Sequence, residues 1–393
     1  MTARHARTLV EKAEELYRET HFESVKRWKA QHRGLAIGFM PIWAPREILH
    51  AQGCLPVGLM GGGEDVEIIK GDAFYQSYIC HIPRSTIELA LNGSLDCLDG
   101  MIFPAICDVI RNLSGIWKMR FPDRLSYYLD VPQDFDPEIG GAFLKRELEE
   151  FARELQRRGA RPLEKEALRR SITAYDANRA RIQALYDLRR REPWKVPTWE
   201  LYTLQRAGLV MPVEEHDALL DEYRAAVESD LDRRPLDQAR VVLTGSFCEQ
   251  PPIGLIKTLE RAGCYIVDDD FVQVGRWFKH AVASKGDPLD DLVRAFLADS
   301  LESPTRYEER LDKGQELVQR VDAAGAEGVL FCAPSFCDPA LLDQPMAVRA
   351  IEERSIPWTA FKYAENNGQF QVIREQAGTF ADSIKLFSEG VTV

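Results

Sequence analysis

No C-x-x-C pair occurs among the eight cysteines of this 393-residue chain. Structural zinc sites usually draw on such close pairs, so a zinc finger or ribbon is a poor account of these thiols. A G-x-x-x-x-G-K-[ST] frame and a G-x-G-x-x-G fingerprint are also missing, which argues against an ATP phosphate cradle and a dinucleotide-binding turn. The first twenty residues, "MTARHARTLVEKAEELYRET", scatter Arg, Lys and Glu through a helical pattern. They leave no apolar stretch for a signal peptide or a membrane helix, so the chain is expected in the cytoplasm, off the membrane. Basic surplus is absent too: a net charge of −12 and a pI near 5.3, with no local basic patch, argue against nucleic-acid binding. No low-complexity tract or short repeat interrupts the chain.

Hydrophobic residues make up 45% and charged residues 28% of the sequence, the profile of a soluble globular protein. Its length exceeds one ordinary core and implies two or three packed units. Short apolar runs closed by Pro or Gly, "LAIGFMP", "LPVGLMGGG", "LDGMIFPAIC" and "RLSYYLDVP", alternate with helical stretches and predict a parallel α/β domain over about residues 35–135. Residues 136–235 carry charged helical patterns such as "FLKRELEEFARELQRRGARPLEKEALRR" and no convincing β run; such mixed charge normally marks solvated helix faces. The α/β rhythm returns with "ARVVLTGS", "GCYIVDDD", "GVLFCAPS" and "IPWTAFKY". The expected division is 1–135 for an N-terminal helix plus the first α/β domain, 136–235 for a helical domain and 236–393 for a second α/β domain. The fold class is thus α/β, two doubly wound, Rossmann-like parallel-sheet domains with a helical domain between them.

The cysteines fall into two groups. Cys54, Cys97, Cys264 and Cys332 lie within apolar stretches, where a thiol behaves as a small hydrophobe. Cys107, Cys248 and Cys337 each follow the end of a predicted strand, and Cys80, in "SYICHIPRST", stands near the start of a predicted helix. Ligands bind at that strand edge in open parallel sheets, so thiols from separate segments can meet in one cleft. Iron–sulfur ligation, zinc, reactive thiols and simple packing all fit the spacing.

Other candidates carry less. The Gly-rich "GLMGGGEDVEIIKGD" reads as a tight turn, and "DDD" at 268–270 reads as a solvated strand end with cation binding as the alternative. His50 and His81 read as hydrogen-bonding residues. Arg84 and Arg111, four residues past Cys80 and Cys107, would sit one helical turn beyond each thiol; they suit either charge balance at a cluster or a ligand phosphate, or else surface ion pairs.

The segments "APREILHAQGCLPVGLMGGG", "SYICHIPRS", "FPAICDVIRNLSG" and "APSFCDPALLDQP" resemble the iron–sulfur subunits of the 2-hydroxyacyl-CoA dehydratases and ATP-dependent benzoyl-CoA reductases, over nearly the whole chain. Within that family, "GSFCEQPP", "AGCYIVDDDF" and "REQAGTFADSIKL" are most similar to the smaller cluster-bearing subunit of the reductases. The resemblance implies a [4Fe-4S] cluster between the α/β domains on Cys80, Cys107 and Cys337, with Cys248 either beside those ligands or itself a fourth. It also implies a related cluster-bearing partner subunit, separate ATP-hydrolysing activator subunits and an aromatic acyl-CoA substrate whose ring is reduced to a cyclic diene. It assigns no catalytic side chain here. A dehydratase subunit is the alternative within the family, and a cluster-free scaffolding subunit the alternative outside it.

Overall fold

The computed structural model describes residues 2–61, 66–246, 251–270, 278–300, 303–305, 314–364 and 370–389. Its first half runs α1 (Thr2–Tyr17), α2 (Glu23–His32), β1 (Ala36–Phe39), α3 (Arg46–Ala51), β2 (Leu55–Gly58), α4 (His81–Leu91), β3 (Gly100–Pro104), α5 (Asp108–Arg120) and β4 (Leu125–Leu129). Four helices follow: α6 (Ala142–Arg157), α7 (Lys165–Arg191), α8 (Thr198–Ala207) and α9 (Val213–Glu228). The last third runs β5 (Ala239–Thr244), α10 (Ile253–Arg261), β6 (Cys264–Asp269), α11 (Pro288–Asp299), α12 (Gln315–Ala324), β7 (Gly328–Pro334), α13 (Asp338–Glu352), β8 (Trp358–Tyr363) and α14 (Gln371–Glu389).

The strands form two four-stranded parallel sheets, ordered β2-β1-β3-β4 and β6-β5-β7-β8. Counted within each sheet the order is the same: second, first, third, fourth. All eight strands coincide with the predicted apolar runs. Parallel strands covered by helices on both faces bury every side chain, so they read as continuous apolar stretches, and β3 and β7 are buried along their whole length. In this order the chain reverses direction across the sheet between β1 and β3, and between β5 and β7. The strand ends open a crevice there.

Helices α6–α9 occupy the stretch between the sheets, and α1 packs on α8 and α9. The outer face of α6 carries the expected solvated charge, with Arg153, Arg157 and Arg158 paired to Glu150 and Glu154. The far end of α7 departs from that pattern. Arg189 is fully buried and meets Asp269 at 2.7 Å, Arg190 meets Asp268 at 2.8 Å, and the Tyr186 hydroxyl donates to Asp269 at 2.8 Å. Asp270 accepts from the Thr244 hydroxyl at 2.6 Å and the Gly245 amide at 2.7 Å. The aspartates at 268–270 are therefore not a solvated strand end: arginines from α7 neutralise the first two, and the β5 turn holds the third.

The apolar interior of the first sheet extends through α6–α9 and takes in Ala333, Cys337 and Ala340 from the β7–α13 connection. The remainder of the second sheet has its own two cores, one on each face. The connection bearing Cys337 is thus where the second sheet enters the core of the first. Among the described residues no helix is long and apolar enough to cross a membrane.

Candidate functional site

Cys80, Cys107 and Cys337 each occupy the residue that caps a helix N-terminus, on α4, α5 and α13 respectively. Cys107 stands three residues past the end of β3, and Cys337 three residues past the end of β7. Those are the third strands of the two sheets, so the two thiols hold equivalent places. The sequence carries this correspondence as P-x-x-C-D, Pro104 to Asp108 and Pro334 to Asp338, a shared signal that becomes meaningful once both strands are placed. A helix N-terminus presents unsatisfied amides and about half a positive charge, which favours an anion such as a thiolate at the capping position.

The backbone is strained along the same edge. Phe336 has φ 67°, and Ile42 and Trp43, just past β1, have φ 55° and 54°. For a β-branched residue such as Ile42 this costs about 1–3 kcal/mol, and such strain collects where surrounding packing fixes a functional geometry. Trp43 is held by an edge contact to Phe296 at 6.1 Å. The short helix α3 that follows buries charge: Arg179 meets Glu47 at 2.7 Å, and Arg46 lies over the Tyr175 ring at 4.9 Å.

Burial pushes the Cys107 thiol above its ordinary pKa; the amides of Ile110 and Val109 pull it back, and Cys337 raises it again. Cys107 and Cys337, one from each sheet, both border the first core. Tyr75 precedes Cys80 by five residues. Burial, then Cys80 and Cys107, push its phenol well above the usual range, and its hydroxyl is buried without a hydrogen-bond partner. Tyr75 shares a groove with Ile79 and Val109, close in the chain to Cys80 and Cys107, and Cys107 packs against the core that includes Cys337. Among the described residues no three His, Cys, Asp or Glu side chains gather at the spacing of a single metal ion. Cys248 lies outside the described residues.

Arg84 and Arg111 differ. Helices α4 and α5 begin as expected, but Arg84 is engaged by Asp72, its Nε 2.8 Å from the carboxylate. Arg111 is exposed and lines a groove of about 760 Å³ with Tyr75, Ile79, Val109, Lys118 and Tyr128. His50 contacts the Ser171 hydroxyl at 2.9 Å and Glu214 at 3.2 Å, in keeping with a hydrogen-bonding role. The other four cysteines are buried, and burial pushes Cys54 and Cys264 up to about 12. They are packing residues. Part of the Gly-rich turn, 62–65, is outside the described residues; Gly61, at φ 75°, sits where a Cβ would strike the Ser85 hydroxyl.

Comparison with known proteins gives the site its setting. Over 383 residues, 97% of this chain and 99% of the relative, the sequence is 51% identical to a subunit of benzoyl-CoA reductase from Thauera aromatica. It is 28% identical to the beta subunit of (R)-phenyllactyl-CoA dehydratase of Clostridium sporogenes, over 89% of this chain and 91% of that one. The beta subunit of (R)-2-hydroxyglutaryl-CoA dehydratase of Acidaminococcus fermentans matches at 26%, over 91% and 94%. All three are named as subunits of acyl-CoA enzymes. The model of the 2-hydroxyglutaryl-CoA dehydratase D-component family matches residues 41–384, a span that holds both sheets and all three capping cysteines, and the chain belongs to that family.

Proposed function

We propose that this chain is a [4Fe-4S]-bearing subunit of an ATP-dependent aromatic acyl-CoA reductase of the benzoyl-CoA type, with Cys80, Cys107 and Cys337 as the protein ligands of iron. The observation that supports the reading is the placement of these thiols at three helix N-termini drawn from both sheets, two of them, Cys107 and Cys337, at the first core. Thiolate is the donor type that the irons of such a cluster take. A single zinc ion at ~2.3 Å from each sulfur needs its thiols within about 4 Å of one another, whereas a multi-iron cluster takes one thiolate per iron and suits a wider, more dispersed set. The family membership and the identity to a reductase subunit, about twice that to the dehydratases, support reductase over dehydratase.

Such a cluster supplies low-potential, one-electron chemistry, which an aromatic ring demands because the first electron must enter a stabilised π system. The chain's own residues supply the setting. Helix N-termini and the amides of Val109 and Ile110 stabilise thiolate charge. Buried Ile106 and Ile110 beside Cys107, and the apolar Trp43–Phe296 contact, help keep water from the strand edge. Arg111 and Lys118 give the adjoining groove a positive wall suited to the phosphates of an acyl-CoA or to an acidic partner surface. With no Walker frame in this sequence, nucleotide hydrolysis belongs to separate activator subunits. The working unit is a complex with a related cluster-bearing subunit, and the three-part division into residues 1–135, 136–235 and 236–393 is part of the same reading.

The test is turnover by the reconstituted complex under strict anoxia, supplied with benzoyl-CoA and, separately, with a 2-hydroxyacyl-CoA. ATP-dependent loss of the aromatic absorbance with benzoyl-CoA alone supports the proposal. Turnover of the hydroxyacyl thioester alone would move the chain to the dehydratases, and absence of iron and acid-labile sulfide would leave a scaffolding subunit.

A further inference from the structure

Tyr75 has a hydroxyl that no partner meets. The phenol lies five residues before Cys80, in the turn after the single-turn helix Gly71–Ala73, and lines the groove with Val109 from the first turn of α5. Its ring packs against the first core while the hydroxyl is buried without a partner. A tyrosine hydroxyl shut away from water almost always finds an acceptor, because leaving it unmet costs about 1–3 kcal/mol. Tyr75 shares the groove with Ile79 and Val109, one residue before Cys80 and two after Cys107. Among the described residues no oxygen, nitrogen or thiol sulfur receives its proton, so the phenol is left to donate to a group that the folded chain itself does not supply.

We infer that Tyr75 donates a hydrogen bond to sulfur of the iron–sulfur centre and thereby sets its reduction potential, a tuning residue rather than an iron ligand. The inference rests on the proposed cluster and adds to it a residue and a role. Reduction places more negative charge on sulfur, so a donor aimed there stabilises the reduced state more than the oxidised one and raises the potential. The hydroxyl is buried, so bulk water does not replace it when it is removed.

The experiment is Tyr75→Phe in the full complex, purified anaerobically and titrated by EPR, with iron and sulfide measured on the same sample. Phenylalanine keeps the ring and its packing. Expected are unchanged iron and sulfide and a reduced fraction about tenfold smaller at a fixed potential, equivalent to about 59 mV in the negative direction for one electron. In the parent protein an exchangeable proton coupled to the cluster should appear by ENDOR and vanish in the variant. 3-Fluorotyrosine at position 75, a stronger donor, should shift the potential the opposite way and covers the case in which Tyr75→Phe loses its cluster. Full iron with an unmoved potential in both variants overturns this inference alone. A parent chain without iron overturns the cluster reading and this inference with it.

Discussion

Removing one charge from the Arg189–Asp269 pair tests whether the buried arginines of α7 lock the helical segment to the second sheet. Both side chains are fully buried at 2.7 Å, Arg189 also reaches the Thr198 hydroxyl at 3.3 Å, and its guanidinium lies over the Tyr186 ring at 4.2 Å. Asp269→Asn keeps the shape and leaves a buried guanidinium without its counter-charge. Breaking such a pair from one side costs about 3–5 kcal/mol. A cooperative unit of 150–250 residues loses about 2–4 °C per kcal/mol, so the melting temperature should fall by about 10 °C. Thermal melts followed by tryptophan fluorescence read the seam directly, since Trp194 packs against Tyr265 of β6 at 6.5 Å. The double variant Arg189→Met, Asp269→Leu removes both charges together and should recover most of the loss, because the desolvation penalty goes with the attraction. A loss under about 1 kcal/mol for Asp269→Asn, or a double variant as unstable as the sum of its singles, would refute the clamp.

Three further outcomes follow from the same packing. Burial raises the Glu260 carboxyl from 4.5 to about 7 against the opposing hydrogen bond from the Thr198 amide; the folded state therefore holds a proton that the unfolded chain has released, so stability present below pH ~4.5 is lost as pH rises through ~7. Glu260→Gln should flatten that slope by up to about 3 kcal/mol in urea titrations across the window, and an unchanged slope would show that Glu260 stays ionised. His216, held to about 4 by burial, acts in the reverse sense: stability present above pH ~6.5 falls away as pH drops through ~4, and chemical shifts of its ring should show no protonation at pH 6. Gly208→Ala would drive a Cβ into the buried His216 ring, 2.5 Å from Nδ1, and should cost about 1–3 kcal/mol by overpacking, seen as a lower urea midpoint.

The strands were legible because doubly covered parallel strands must be apolar throughout, and the helical segment because its charge recurs at helical spacing. The same charge misled at 268–270. Asp268 and Asp269 look solvated until Arg190 and Arg189, about eighty residues earlier in sequence, are folded onto them, and nothing local marks those arginines as different from their exposed neighbours. The capping cysteines were legible as thiols past strand ends, since that edge follows from topology alone. Which of them act together was not, for that depends on how the two sheets dock. Tyr75 stayed hidden for another reason: a tyrosine near a cysteine is commonplace, and only the buried hydroxyl without an acceptor singles it out.

The central claim is that three remote thiols hold one inorganic centre. Iron and sulfide per chain, with low-temperature EPR, should be measured anaerobically for Cys80→Ala, Cys107→Ala and Cys337→Ala beside the packing control Cys97→Ala. The account predicts that each of the first three loses or rebuilds this chain's cluster while Cys97→Ala keeps the parent signal and stoichiometry; an unaltered cluster in any of the three would contradict it.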